Sequence, residues 1–320
     1  MSAKTTEPPA ESAHEPHWIS RAAFPVISIA SLLVLTALGW AVHRELYWLA
    51  VPLVLAASHF MHGQLIGFHE ASHGMLRKNR LINEIDGVLI GVLSFMSFSL
   101  YRAAHQTHHM HLGTTRDEEL WPFTLPKTPR GVRILAAFSE LFAGLVFAPL
   151  LFLRIFLRAG SPIRSRKIRR RIWAEFALIA VTWIAILSAV AWFEAWKYFL
   201  WMYLAPGIIA GNLQSWRKYI EHVGMTGSTI RSGTRSIVAE TPLGRLVSFT
   251  LLHEPYHGVH HQRVGLPHAE LPCYASELTP TAPEEIAPFP SYRHAFLHLL
   301  RGLGNPRVGA QWRNSEHAGH

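Results

Sequence analysis

Three short histidine clusters stand out in this chain: His69-Glu-Ala-Ser-His73, His105-Gln-Thr-His108-His109 and His257-Gly-Val-His260-His261. Positions i, i+3 and i+4 share one face of a helix, so the imidazoles of each cluster can converge on one small volume. Imidazole suits iron, copper, zinc and nickel, whereas magnesium and calcium prefer oxygen ligands, so this donor set selects a transition metal. One zinc ion needs only about four ligands. The eight histidines over-supply it and would furnish two ions with several ligands each. By elimination this points to a di-iron centre and to oxygen chemistry.

Two other readings compete. The first cluster alone, HExxH, matches zinc metalloproteases, in which Glu70 would be the general base beside zinc-binding His69 and His73. That reading requires one zinc, an acidic third ligand and indifference to the loss of His109 or His261. A non-enzymatic metal transporter would instead want ionisable residues along its spans, and the apolar stretches of this chain are nearly free of charge. Among the remaining histidines, His14, His17, His317 and His320 sit in polar tails, and His43, His59, His62, His294 and His298 read as interfacial or packed residues. His111, His253 and His268 flank the clusters and could support them.

The elements that must position these residues belong to a membrane. Of the 320 residues, 49% are hydrophobic and 16% charged, against about 25% charged in soluble proteins, and the mean hydropathy is +0.15. Four stretches approach the roughly 20 apolar residues a span needs: Ala22 to Val42, Leu46 to Phe68, Trp173 to Phe193 and Trp196 to Leu213. Short joins at His43 to Glu45 and at Glu194 to Ala195 make two hairpins of them. Gly87 to Leu100 is short for a span, and Val132 to Leu157 carries Gly144 and Pro149 inside it. If the first two clusters share one site, the stretch between them cannot cross the bilayer once, so both segments are expected to lie in the interface or to dip and return. The fold class expected is an all-α integral membrane protein: about four transmembrane helices in two hairpins, interfacial or re-entrant helices, and a cytoplasmic histidine-rich cap. Residues 1–20 are expected to be a disordered tail, 21–280 the membrane domain and 281–320 a C-terminal cytoplasmic tail.

The basic run from Arg164 to Arg171 marks the cytoplasmic side by the positive-inside rule. With the N-terminal tail inside, each hairpin goes out and back and all three clusters share the cytoplasmic face. The first apolar stretch lacks a small-residue cleavage site after it, so an uncleaved span is expected rather than a signal peptide. The single Cys273 excludes a disulfide framework and a cysteine-based metal site. The net charge of +9 suits anionic lipid headgroups and an acidic electron-transfer protein. No binding motif accompanies it that would suggest nucleic acid.

The order HExxH, HxxHH, HxxHH, with hydrophobic hairpins between, resembles the membrane fatty acid desaturase superfamily of bacterial type, whose relatives include hydroxylases and carotenoid-modifying oxygenases. The resemblance runs from about Leu46 to Pro272 and is reinforced by Tyr101-Arg-Ala-Ala-His105 running on through Leu112-Gly-Thr-Thr-Arg-Asp117. It is strengthened again by Arg217-Lys-Tyr-Ile-Glu221-His222. It implies a ninth metal ligand, His222, beside His69, His73, His105, His108, His109, His257, His260 and His261. The chain departs from animal acyl-CoA desaturases at Lys218, where they carry an asparagine that holds a metal-bound water.

The resemblance further implies two iron ions, O2 as co-substrate and an external electron donor, whether ferredoxin, rubredoxin or a cytochrome b5-like protein. No catalytic residue separate from the metal ligands is expected. Metal-bound histidines usually donate their second ring N–H to a carboxylate or carbonyl, and Glu70, Asp117, Glu221 and Glu254 are placed to accept it, although Asp117 and Glu254 read more simply as solvated carboxylates. A site at the bilayer surface favours an acyl chain as substrate, in lipid or thioester form. Desaturation is the expected outcome, with hydroxylation of an alkane, carotenoid or fatty acid as the alternative. Trp183, Trp192, Trp196, Trp201 and Trp216 could line a tunnel but suit interfacial anchoring better.

Overall fold

The computed structural model describes residues 18–313, which form helices and connecting loops with one isolated bridge between Ile237 and Phe289. Helices α1 (Ala23–His43) and α2 (Tyr47–His73) form the first hairpin. A bent pair follows, α3 (Arg80–Leu93) and α4 (Phe98–Met110), set at 102° to each other. Next come α5 (Arg130–Phe142), α6 (Gly144–Leu157) and the long α7 (Arg166–Trp192). The return leg is helical from Trp196–Phe199 through a π-helical segment, Leu200–Leu204, into α8 (Ala205–His222). The remaining chain carries α9 (Pro242–Thr250), α10 (His257–Gln262), a 3-10 segment (His268–Leu278) and α11 (Tyr292–Leu303).

Among the described residues, α1, α2 and α7 are long and apolar enough to cross a membrane, with mean hydropathies of 2.1, 1.4 and 2.1. Their outward faces are apolar too: Leu32, Leu33 and Trp40 on α1, Trp48 and Leu55 on α2, and Val181, Ile184 and Trp192 on α7 are all exposed. A surface this apolar belongs against lipid. The stretch expected as a fourth span is the three-piece helical leg from Trp196 to His222, jointed at the π segment.

Both hairpin turns use a glutamate in the left-handed region, Glu45 at φ 58 and Glu194 at φ 51. The turns meet: His43 Nδ1 lies 2.9 Å from the Tyr198 hydroxyl, and Lys197 Nζ lies 3.8 Å from Glu45. The two hairpins therefore point their other ends the same way. The two ambiguous apolar stretches are each divided into two helices. Phe95 at φ 58 separates α3 from α4, and the join at Ala143 separates α5 from α6. Each of α3 and α5 leaves an apolar stripe exposed, including Leu81, Ile85 and Leu89 on α3 and Leu135, Phe138 and Phe142 on α5.

One boundary differs from expectation. Residues 281–313 are not a detached tail, because Ala295 and Leu299 of α11, with Val308, are fully buried in a core with Tyr219, Val223 and Phe123. The reason is the i, i+4 apolar spacing on α11, reinforced by Arg133, which donates to Pro306 O at 2.9 Å and stacks on Trp312. Of the expected N-terminal tail, residues 1–17 lie outside the described residues, and a single helical turn, Trp18–Arg21, follows them.

Candidate metal centre

The histidine clusters sit at helix ends. His69 and His73 occupy the last turns of α2, which Gly74 terminates at φ 78. His105, His108 and His109 close α4, His222 is the last residue of α8, and α10 carries His257, His260 and His261. The start of α4 is anchored to α7: Glu175 accepts from Ser97 Oγ at 2.6 Å, from Ser99 N at 2.8 Å and from Ser99 Oγ at 2.6 Å. A carboxylate at a helix N-terminus satisfies N–H groups that have no partner within the helix and complements its dipole. Arg102 of α4 then donates to Ser72 O at 3.1 Å, locking the second cluster to the end of the first.

All nine imidazoles of the expected ligand set converge, and they sort into two groups. His69, His73, His105, His109 and His260 form one. His108, His222 and His261 form the other, and His257 joins it through ring nitrogens 2.9 Å from His222 and 3.0 Å from His261. Within the first group the Nε2 atoms of His69 and His73 are 3.2 Å apart, those of His105 and His109 3.0 Å, and those of His109 and His260 3.2 Å. The rings of His109 and His261 stack at 4.2 Å between centroids, so the groups abut. None of the other described histidines belongs to either group.

The opposite edges of these rings reveal their protonation. His105 Nδ1 donates to Glu119 at 2.8 Å, His108 Nδ1 to Asp117 at 2.9 Å and His257 Nδ1 to Glu254 at 3.0 Å, while His222 Nδ1 faces Gly233 O at 3.4 Å. Ionised carboxylates and carbonyls accept, so the nitrogen that faces them is the donating Nδ1, and in the neutral, metal-binding form Nε2 carries the lone pair. His222 and His257 thus point two lone pairs at each other across 2.9 Å. Such an arrangement repels unless a cation sits among the nitrogens. Burial pushes His260 and His261 well below the ordinary imidazole range. That keeps them neutral, the form that binds metal. The donor set therefore fits two transition-metal ions.

The acids are more deeply engaged than solvated side chains would be. Asp117 is 1% exposed and Glu254 0%, which corrects the simpler expectation for both. Glu254 bridges the groups, accepting from His257 while its other oxygen lies 3.4 Å from His69 Nδ1. Arg217 donates to Glu254 and to Glu221, both at 2.7 Å. Burial alone would raise the Glu254 carboxyl; the Arg217 guanidinium and the His257 N–H act against it, and the carboxyl is held well below its usual range. Glu221 sits 3.6 Å from His257 Nε2. Glu70 lies beside His69 and Glu254, buried, with one oxygen unpartnered.

Glu119 was missed from the sequence. The signal was the acidic run Asp117-Glu118-Glu119 just after the second cluster, whose middle member turns away to pair with Arg154 at 3.2 Å. Lys218, the departure from the animal pattern, pairs with Glu140 and reaches Glu119 O at 3.4 Å. It stands behind His105 rather than among the facing nitrogens. His253 and His268, each pushed down to about 4 by burial, form a neighbouring pair with ring centroids 6.5 Å apart. A protease-like site is not what forms, because His69 and His73 share their volume with three further imidazoles.

A cavity of about 510 Å³ lies between the helices beside this centre; none of the nine imidazoles lines it, but Tyr101 and Glu119, which contact His105, do. Its walls are mostly apolar, with Phe68, Tyr101 and Phe152 near the centre and Leu32, Leu89 and Met202 farther off. Tyr101 belongs to both features, since its ring stacks on His105 at 5.1 Å. The five tryptophans considered for a tunnel do not line it.

Comparison with known proteins agrees with this arrangement. A stretch of 118 residues, 36% of the chain, is 30% identical to a chloroplastic omega-3 fatty acid desaturase of Glycine max, covering 26% of that protein. Another of 183 residues, 55% of the chain, is 23% identical to a fatty acid desaturase of Bacillus subtilis, covering 51% of it. The aligned regions thus span about half or less of each relative. The sequence model of the family described as fatty acid desaturase matches residues 46–293, which include all nine converging histidines and every helix that presents them. With its helices, its histidine groups and this match in agreement, the chain belongs to the fatty acid desaturase family.

Proposed function

We propose that this chain is a membrane-bound, O2-dependent di-iron oxidoreductase that introduces a carbon–carbon double bond into a lipid acyl chain. The observation that supports this most is the convergence of nine imidazoles in two abutting groups whose lone pairs face one another. His69, His73, His105, His109 and His260 would hold one ion, and His108, His222, His257 and His261 the other. When bound, the iron pair would supply the oxygen activation and the removal of hydrogen from an unactivated C–H bond, chemistry that belongs to the cofactor.

The protein's own part is positioning. Glu119, Asp117 and Glu254 fix the Nδ1 protons and so aim the rings. Burial of the centre excludes water from a site where side reactions with solvent would compete. The cavity holds an acyl chain against Phe68, Tyr101 and Phe152, and the stacked Tyr101–His105 pair brings that chain alongside the first imidazole group. Glu70, Asp117, Glu221 and Glu254 act through the histidines rather than on substrate. Electrons come from a ferredoxin, rubredoxin or cytochrome b5-like donor. The basic run at the start of α7 favours the cytoplasmic side for the clusters.

The test is to express the wild type and His109→Ala in a bacterial host with a matched redox partner, then compare total lipid extracts by mass spectrometry and iron per chain. New unsaturated acyl chains in the wild type alone, with iron lost from the variant, are expected. Hydroxylated products would keep the di-iron site and replace the desaturase assignment with a hydroxylase. Full activity and iron in His109→Ala, or in His261→Ala, would overturn the nine-ligand assignment.

A further inference from the structure

The cavity has two ends of different character. Toward the centre its lining carries charged side chains held in pairs: Lys218 with Glu140, and Arg217 with Glu221 and Glu254 at 2.7 Å. A water-borne acyl thioester that displaced these pairs on its way from the histidine-bearing cap would leave buried charges uncompensated, which is strongly unfavourable. At the other end the walls come from α1, α3 and the π segment: Leu32, Leu35, Leu89, Leu93, Met202 and Tyr203. Three of these also belong to the outer apolar surface, Leu32 at 66%, Leu89 at 56% and Leu93 at 44% exposure.

The opening is built into the packing. Helices α1 and α3 each pack on α2 but share no comparable interface, and the cavity is lined from both of them. One edge of the cavity is pinned, since the Tyr203 hydroxyl donates to Leu93 O and Trp183 Nε1 donates to Val92 O at 2.8 Å. We propose that the gap between α1 and α3 is a lateral portal through which the acyl chain of a bilayer lipid enters directly from the leaflet. The substrate is then an acyl lipid rather than a soluble thioester. An apolar chain passing from lipid tails to an apolar cavity exposes nothing new to water, so this route carries no hydrophobic penalty. The inference rests on the reading of the centre as an acyl-chain oxidising site.

The experiment uses the full chain, iron-loaded, in lipid nanodiscs containing a phospholipid with a diazirine midway along one acyl chain. After irradiation, labelled residues are mapped by mass spectrometry. Labelling of the buried wall residues Phe68, Tyr101 or Phe152 is expected in the wild type, falling by an order of magnitude in Leu32→Trp/Leu89→Trp. Leu55→Trp, on the lipid-facing side of α2 away from the cavity, serves as control and should label like the wild type, with iron content equal in all three. Absence of interior labelling in the wild type, or undiminished labelling in the plugged variant, overturns the portal. The two readings fail separately. Oxidation of a soluble acyl thioester at the wild-type rate by the plugged variant would remove the portal and leave the desaturase. Interior labelling without any oxidised product under supplied donor and O2 would remove the desaturase and leave the portal.

Discussion

Replacing Glu254 by glutamine should loosen both halves of the metal centre at once. The carboxylate accepts from His257 Nδ1 at 3.0 Å in the four-histidine group, lies 3.4 Å from His69 Nδ1 in the five-histidine group, and binds Arg217 at 2.7 Å. Glutamine preserves the shape but offers one accepting oxygen in place of two and carries no charge. At least one of these donors loses its acceptor, and Glu221 is left as the only carboxylate paired with Arg217. Loss of such a supporting partner costs roughly 10- to 100-fold in metal affinity, or about 1.4 to 2.7 kcal/mol. The comparison variants touch one group each: Asp117→Asn removes the charge beside His108, and Glu119→Gln the charge beside His105. The assay is anaerobic ferrous loading of detergent-purified protein against a competing chelator, with iron per chain measured by mass spectrometry. Glu254→Gln should weaken both binding steps, Asp117→Asn the four-histidine step first and Glu119→Gln the five-histidine step first. Wild-type affinity in Glu254→Gln, or weakening confined to one ion, would refute the bridging role.

Other consequences can be checked on the same protein. A side chain at Gly211 would place a Cβ 2.9 Å from Leu145 N and 3.0 Å from its Cα, so Gly211→Val should force α6 and α8 apart at a cost of about 1–3 kcal/mol, read as a lowered melting temperature. Glu175→Ala strips Ser97 and Ser99 of their acceptor at the start of α4; about 1–3 kcal/mol of stability and faster hydrogen exchange in the first turn of α4 are expected, and unchanged exchange would sink the anchoring role. His253 and His268 are held down to about 4 from 6.5 by burial, so the unfolded chain takes up protons that the folded chain refuses. Their contribution is therefore intact above pH 6.5 and lost as pH falls toward about 4, and melting temperatures across that window should fall less steeply in His253→Phe/His268→Phe than in the wild type.

The convergence of the nine histidines was legible because helical spacing is local: once α2, α4 and α10 are helices, each cluster has one face, and the family resemblance supplied His222. That the two short apolar stretches would not be simple spans was argued from topology; that each is divided, at Phe95 and at Ala143, was not. What escaped was tertiary. Nothing near Glu119 in sequence says that it will face His105 while Glu118 pairs with Arg154. Glu254 is held by Arg217, brought to it from α8 far away in sequence, and α11 read as a tail because its partners Tyr219 and Phe123 lie equally far away.

The length of α2 has a consequence of its own. Its 27 residues extend about 40 Å at 1.5 Å per residue, whereas the hydrocarbon layer is about 30 Å thick. With Trp48 marking one interface, the turn bearing His69 and His73 projects beyond the oily layer into the headgroup zone. In the proposed reaction, a carbon that reacts there would have to be lifted out of the leaflet, and the height of that lift is the difference between a rigid rod and a soft film. Under the proposed acyl-chain desaturation, bilayer thickness would become a variable of the reaction: a membrane that thins or thickens with temperature or composition would change how far the chain must rise, and with it the rate of turnover.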